Sequence, residues 1–433
     1  MKNYDAVVIG AGVIGACTTL ELARSGRTVL CVDKGPEAGY GSTSGSCAIV
    51  RTYYSTIESC ALAYEGWFVW KDWSGYLGAP DESGHAVYHD TGVTCMKTQQ
   101  NGFLARTMAI MDEIGCPYDE LTPDDVREKF AGIALDRFFP AKRRDHPDFG
   151  EPTGDELPGA VFFSRGGYVS DPKLTAHNAQ RAAEAAGATF RFRTAVTDVL
   201  IEDGACVGVK LDDGSEVRAH AVVNVAGPHS SRLNAMAGVT HDMTITTRPM
   251  RHEVAHVPAP EGYMPEGGFV SSDSDICAYM RSAPGGHILI GSEDPECDGH
   301  SWVDDPDDFD ESHTDLWSTY VMRAGQRVPA MGVPNQARGV VALYDTTEDW
   351  TPIYDRSSLP GWYMACGTSG NQFKNAPTAG RIMTAIVDAT ERGHDHDADP
   401  IRFRLPNLDR EIGLQAYSRR RELNADSSFS VLG

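Results

Sequence analysis

Three kinds of feature are scarce in this sequence of 433 residues. It has ten cysteines, but none stand in a CxxC pair or at metal-ligand spacing, which argues against a disulfide framework and favours reduced thiols in a cytoplasm. Basic residues are few, because 38 Lys and Arg oppose 61 Asp and Glu and give a net charge of -23. Since this charge repels nucleic acid and anionic membranes, we expect small-molecule partners.

Long apolar runs are also missing. The apolar stretch over residues 7–23 is interrupted by three glycines and by polar side chains, and no basic segment of the signal-peptide type precedes it. We therefore expect neither a signal peptide nor a membrane span. With 41% hydrophobic residues, the chain can bury one large core or two moderate ones, which favours a two-domain enzyme.

A glycine-rich loop near the start carries the clearest motif. The hydrophobic pattern predicts a strand, a helix and a second strand over residues 4–9, 12–25 and 28–32. The loop between the first strand and the helix holds Gly10, Gly12 and Gly15, spaced as GxGxxG. Such glycines let the backbone approach a pyrophosphate at the helix N-terminus, and Asp33 after the second strand can accept hydrogen bonds from ribose. The loop predicts a dinucleotide site, with a turn that binds no ligand as the alternative.

Two later segments favour FAD over NAD. Residues 222–230 and residues 361–372 each predict a strand that runs into small residues, one in the middle and one near the far end of the chain. Small residues at these strand ends would let a long cofactor lie across several loops. The sequence therefore predicts FAD.

Five motifs together resemble one family. They are the glycine loop 10–15, the serine-rich loop 41–51, and the segments 167–172, 226–230 and 367–374. In this combination, residues 4–390 resemble the D-amino-acid-oxidase-type flavoproteins, in the branch of the sarcosine oxidases, glycine oxidases and dimethylglycine dehydrogenases. The resemblance implies an α/β fold, with a Rossmann-like FAD-binding domain and a second, mostly antiparallel β-sheet substrate domain.

This resemblance assigns residues to domains and to the cofactor. We expect a discontinuous FAD-binding domain over residues 1–84, 160–240 and 338–395, and a substrate domain over 85–159 and 241–337. Residues 396–433 would form a C-terminal extension that is a docking strap, an oligomer contact or an exposed tail. The expected cofactor contacts are Gly10, Gly12, Val13, Ile14, Gly15, Asp33, Lys34, Ser42, Thr43, Ser44, Ile49, Val50, Val196, Ala226, Gly227, Gly367, Gly370, Asn371, Gln372 and Lys374.

Two cations are implied to meet the substrate. In sarcosine-oxidase-like enzymes, the residues that match Arg51 and Lys374 reach the substrate carboxylate on one face of the flavin. They would supply the local positive charge that a carboxylate needs in so acidic a chain, and they would fix its orientation. The second sheet should complete the pocket, but strand alternation cannot decide which side chains face inward. The candidates are His252, Tyr279, Arg281 and Glu293, each with a structural role as the alternative.

The sequence also departs from the sarcosine oxidases. The cysteine that attaches flavin covalently in the monomeric enzymes has no counterpart in residues 340–344, so we expect non-covalent FAD. The lysine that helps those oxidases to activate oxygen matches Leu289, which leaves O2 or another electron acceptor open. His394 and His396 alternate in a charged segment that we expect to be solvated and to bind no metal.

The activity implied by the resemblance is oxidation of a carboxylate-bearing amine, an N-methyl or primary amino acid of the sarcosine or glycine kind. Hydride transfer to flavin N5 would give an imine that hydrolyses. An FAD-dependent 2-hydroxy-acid dehydrogenase is one alternative, and it would need a base for which His252 is the candidate. The flavin subunit of a multi-subunit amine dehydrogenase is another, and the sequence leaves the oligomeric state open.

Overall fold

The structure is a computed structural model that describes residues 2–99 and 101–433. The strands in this part of the chain are β1 Lys2–Ile9, β2 Val29–Val32, β3 Ile49–Val50, β4 Tyr88–His89, β5 Val93–Met96, β6 Tyr118–Leu121, β7 Ala160–Phe163, β8 Gly167–Val169, β9 Thr189–Arg191, β10 Val196–Glu202, β11 Ala205–Leu211, β12 Glu216–Asn224, β13 Arg248–Pro258, β14 Val270–Asp273, β15 Ala278–Ala283, β16 His287–Ser292, β17 Ser301–Trp302, β18 Gly339–Thr346, β19 Ile353–Arg356, β20 Trp362–Cys366, β21 Arg402–Leu405 and β22 Arg410–Gly413.

The α-helices are α1 Val13–Arg24, α2 Ile57–Lys71, α3 Trp73–Leu77, α4 Phe103–Ile114, α5 Pro123–Lys129, α6 Pro172–Ala185, α7 Ser230–Met236, α8 Asp315–Arg327 and α9 Ala376–Glu391. Short 3₁₀ helices cover Gly227–His229, Thr240–Asp242, Glu296–Asp298, Phe373–Asn375, Pro406–Leu408 and Leu414–Tyr417. Within the described ranges, no helix is both long enough and apolar enough to cross a membrane.

The first sheet has eight strands and positions the glycine loop. Its strands β9, β2, β1, β12 and β20 run parallel in that order, and β19 pairs antiparallel with β20. The hairpin β10–β11 joins the sheet at the start of β12. Because parallel strands end at the same sheet edge, the loops after β1, β12 and β20 meet there. The Rossmann-like fold predicted from the sequence is confirmed.

The second sheet has nine strands and faces the ends of the first. Its order is β17, β13, β16, β15, β14, β5, β7, β6, with β18 paired along β13. Its pairs are antiparallel except β5 with β14. Helix α8 buries Trp317, Tyr320 and Val321 in an apolar cluster with side chains of β13, β15 and β16. The mostly antiparallel second sheet expected from the sequence is therefore present.

The predicted domain boundaries remain a prediction. The sheets nevertheless bear on one of them, because β7 pairs with β5 and β6 in the second sheet. Residues 160–163 thus belong to the second sheet, although the sequence reasoning assigned them to the FAD-binding domain. A short strand gives no pattern that tells which of two sheets it joins.

The C-terminal extension packs on the core. Arg419 is fully buried and forms salt bridges with Asp242, Asp355 and Asp397. His396 is 3% exposed, and its Nδ1 accepts the N–H of Ile401 at 3.0 Å. The expectation of a solvated histidine segment is wrong for His396, because the chain folds back over it. The extension is therefore docked on the core in this region.

Candidate active site

A cavity of about 860 Å³ joins the two sheets. It starts at the glycine loop and at the ends of β1, β2 and β12, and it extends to side chains of β13, β14, β15 and β18. The volume lies in the range typical of ligand and cofactor pockets. The predicted dinucleotide site and the second sheet therefore share one continuous space.

The glycine loop has a backbone that only glycine permits. Gly10 has a φ of 110°, and a Cβ placed on it would lie 2.4 Å from the carbonyl oxygen of Val225. A Cβ on Gly15 would lie 1.9 Å from the carbonyl oxygen of Gly10. Gly12 caps α1 without a side-chain hydrogen bond, the N–H of Val13 donates to Thr43 Oγ1 at 3.1 Å, and the first turn of the helix borders the cavity. An anionic group can approach these backbone N–H groups, as a pyrophosphate requires.

Asp33 links the glycine loop to the end of β2. Its Oδ2 accepts the N–H of Ala11 at 2.6 Å, and its Oδ1 accepts the N–H of Gly35 at 2.6 Å. The carboxylate borders the cavity and keeps lone pairs for ribose hydroxyls. Beside it, Lys34 forms a salt bridge with Asp307, so part of the acidic run 304–311 covers this end of the cavity.

The cavity wall contains every expected cofactor contact except Val50, Gly367 and Lys374. Val50 is fully buried because it alternates in direction with Ile49 and Arg51, which do border the cavity. Gly367 lies behind the wall, where its N–H donates to Asp345 Oδ2 at 2.6 Å.

Arg51 borders the cavity, and Lys374 lies behind it. The Arg51 guanidinium carbon and the Lys374 Nζ each lie 4.0 Å from the centroid of the Tyr54 ring. Lys374 donates to the carbonyl oxygen of Asn371 at 2.7 Å, and it is 1% exposed. Burial, with a further contribution from the charge of Arg51, holds the pKa of Lys374 well below its usual range. Among the described residues, neither cation has a carboxylate within salt-bridge distance.

His252 and Tyr279, two of the second-sheet candidates, border the cavity. The Nε2 atom of His252 lies 3.1 Å from Asp294 Oδ1, and its ring stacks on Tyr344 at 4.0 Å. The hydroxyl of Tyr279 lies 3.6 Å from the Sγ atom of Cys47. Burial raises the pKa of Cys47, so its thiol stays protonated and weakly nucleophilic. A non-covalent cofactor is consistent with that state.

Arg281 and Glu293 do not border the cavity. Arg281 donates to the carbonyl oxygen of Ser282 at 2.7 Å and stacks over Tyr168. Glu293 accepts hydrogen bonds from Ser272 Oγ at 2.7 Å and from Ser274 Oγ at 2.8 Å, and burial raises its pKa to about 7. Both side chains therefore have structural roles behind the cavity wall.

Comparison with known proteins decides the family. The family model described as FAD dependent oxidoreductase matches residues 5–386, most of the chain. This chain belongs to the FAD dependent oxidoreductase family. Its cofactor is FAD. The glycine loop and Asp33 fit the cofactor's pyrophosphate and ribose as described above, and residues 41–46 of the serine-rich loop border the same cavity.

Relatives of this FAD dependent oxidoreductase align along nearly its whole length. Monomeric sarcosine oxidase from Bacillus sp. (strain B-0618) is 23% identical, over 91% of this chain and 94% of the relative. Sarcosine oxidase subunit beta from Arthrobacter sp is 24% identical, over 96% of this chain and 95% of the relative. The structure of L-proline dehydrogenase from P.horikoshii superposes with a TM-score of 0.75 at 21% identity, covering 96% of this chain and 97% of that one. The fold is thus shared with that enzyme.

Several cavity residues of the FAD dependent oxidoreductase escaped the sequence reasoning. They are Cys47, Tyr53, Tyr54, Asp294 through its contact with His252, Tyr344, Val431 and Leu432. Asp294 has a φ of 54°, and this turn at the end of β16 directs it to His252 while Glu293 points into the core. Two neighbouring acidic residues give no signal that separates these directions.

Proposed function

We propose that this FAD-dependent oxidoreductase oxidises an amine that carries a carboxylate, such as an N-methyl or primary amino acid. Arg51 carries the proposal, because this residue is 6% exposed, borders the cavity and has no carboxylate partner in the described ranges. A buried cation is costly without a compensating anion. A substrate carboxylate would provide that anion. The names of relatives, such as glycine oxidase from Geobacillus kaustophilus (strain HTA426), support this substrate class.

Arg51 and the apolar side chains of the cavity have different roles in substrate binding. Arg51 has five N–H donors, of which the carbonyl oxygens of Tyr53 and Val431 take two, so three remain for a carboxylate. The apolar side chains of Val254 and Val270 border the same cavity, and they exclude water and favour the neutral form of a bound amine. FAD held by the glycine loop and Asp33 would supply the hydride acceptor for this oxidation. The imine product then leaves for hydrolysis.

A second candidate is an FAD-dependent 2-hydroxy-acid dehydrogenase. The contact between His252 and Asp294 favours it, because oxidation of a hydroxyl needs a base and a carboxylate partner orients a histidine for that role. The same Arg51 would hold the carboxylate. The two candidates differ in the group that is oxidised.

Electron acceptor, assembly and location belong to the proposal as well. Three relatives are named as subunits, two of a sarcosine oxidase and one of an opine oxidase. They support a flavin subunit that works within a larger enzyme, with O2 or another acceptor. All ten cysteines are free thiols, nine of them at least partly buried, which supports a reducing cytoplasm.

Anaerobic reduction of the flavin tests the proposed reaction. The yellow protein is mixed without oxygen with N-methyl amino acids, primary amino acids and 2-hydroxy acids, and its flavin absorbance is recorded. We expect bleaching by at least one amino acid and none by the hydroxy acids. Bleaching by hydroxy acids alone would establish the second candidate, and bleaching by neither class would refute both.

A further inference from the structure

The C-terminal strap, defined here as residues 427–432, contributes to the wall of the cavity. Val431 and Leu432 border the cavity, although the family model ends at residue 386. The carbonyl oxygen of Val431 accepts a hydrogen bond from Arg51 Nη2 at 2.8 Å. The strap therefore contacts the proposed carboxylate-binding residue from a part of the chain that the family match does not include.

The inner side of the strap is integrated into the site. The N–H of Val431 lies 3.4 Å from Asp294 Oδ2, and the other oxygen of Asp294 lies 3.1 Å from His252 Nε2. The Val431 side chain belongs to an apolar cluster with Met250, Tyr279 and Trp350. Val431 is thus surrounded by residues of the second sheet and of the loop after β18.

A buried ion pair anchors the segment that leads into the strap. Arg421 Nη2 lies 2.8 Å from Asp349 Oδ1, with both side chains at most 6% exposed. The N–H of Asn424 donates to the other oxygen of Asp349 at 3.2 Å. This anchor fixes the strap on the core, and Arg51 keeps free N–H donors while it is bound to Val431. These contacts therefore indicate that the strap is a permanent part of the cavity wall rather than a segment that blocks the cavity and moves away.

We propose that Val431 and Leu432 determine substrate specificity: the carbonyl of Val431 positions Arg51, and the two side chains limit the size of the group that the substrate carries. The inference rests on the proposed function for the identity of the substrate. It goes beyond that function because it assigns part of the site to the C-terminal extension. The carbonyl of Val431 acts through Arg51, so in this first role Val431 is a positioning residue.

A shortened chain that ends at Asp426 tests the inference in the FAD-loaded protein. Acetate serves as a carboxylate without an oxidisable amine, and its dissociation constant is measured from the change in flavin absorbance. We expect this constant to rise about tenfold, which corresponds to about 1.4 kcal/mol, because without the carbonyl of Val431 the Arg51 guanidinium is no longer held in position. FAD content should stay unchanged. A constant that falls would show that the strap is an inhibitory plug, and an unchanged constant would show that it has no role; either result overturns the inference.

Point variants test the size limit if the shortened chain folds poorly. L432A should raise the ratio of kcat/KM for a bulky over a small amine substrate about tenfold, which corresponds to about 1.4 kcal/mol, because the shorter side chain leaves room for apolar groups of the bulky substrate. L432F should lower this ratio. L423A is the matched control, because Leu423 precedes the strap and is 50% exposed. Equal ratios in all four proteins would contradict the size limit. If no amine bleaches the wild type, the proposed function fails, while acetate binding still tests the strap.

Discussion

Replacement of Arg51 by alanine tests how the substrate is held. Arg51 borders the cavity, and in the described part of the chain it has no carboxylate partner, so a bound substrate would receive its charge-assisted hydrogen bonds. Each such bond contributes about 1.5–3 kcal/mol, so the loss of two weakens binding by at least about 3 kcal/mol. Because about 1.4 kcal/mol corresponds to a factor of ten, we expect kcat/KM to fall by about a hundredfold or more.

The assay is steady-state oxidation of the best amino acid, with KM and kcat determined separately. The loss should appear mainly in KM, because a carboxylate is bound equally before and during hydride transfer. R51A also leaves the carbonyl oxygens of Tyr53 and Val431 without a donor, so thermal stability and FAD content are measured in parallel. R127A serves as the control, since the Arg127 side chain is 43% exposed on α5. A KM for R51A within about threefold of the wild-type value would refute the carboxylate model.

Three further predictions concern the cofactor site and the pH dependence of folding. D33N should bind FAD about ten- to a hundredfold more weakly, because an amide group accepts fewer hydrogen bonds from the N–H groups of Ala11 and Gly35. Equilibrium dialysis followed by FAD fluorescence measures the affinity, and an unchanged affinity would contradict the role of Asp33. G15A should yield protein without bound FAD, because its Cβ would lie 1.9 Å from the carbonyl oxygen of Gly10, and the absorbance ratio of flavin to protein reports the loss. Burial raises the pKa of Glu293 from 4.5 to about 7. The folded state therefore favours the neutral carboxyl, which contributes about 3 kcal/mol to stability at low pH, and this contribution is lost as the pH rises through about 7. E293Q should therefore lose less stability than wild type between pH 5 and pH 8 in denaturant titrations, and an equal loss would show that Glu293 does not titrate in this range.

The dinucleotide end of the site could be predicted from the sequence because local chemistry dictates it. A strand, a glycine turn and a helix follow one another without a gap, and the close approach of Gly15 to the carbonyl oxygen of Gly10 lies within this unit. Asp33 ends the next strand, so its place beside Gly10 follows from parallel pairing of β1 with β2.

The substrate end depends on contacts between distant segments, and the sequence pattern does not encode them. Lys374 is covered by Tyr54, and the direction of its side chain depends on how the loop after β20 packs on the loop after β3. Tyr279 and Arg281 share one face of β15, yet Tyr279 borders the cavity and Arg281 is covered by Tyr168. The strap reaches Arg51 across 380 residues of chain, which no local periodicity can indicate.

The central claim is that Arg51 holds the carboxylate of an amine that FAD oxidises. The most direct measurement compares two substrates that differ only in this group: an N-methyl amino acid and its amide, each mixed anaerobically with the yellow protein in a stopped-flow instrument. We predict that the acid bleaches the flavin, and that at equal, subsaturating concentration the amide does so at least about a hundredfold more slowly, since it forgoes about 3 kcal/mol of binding. Equal rates for the acid and the amide would contradict the claim.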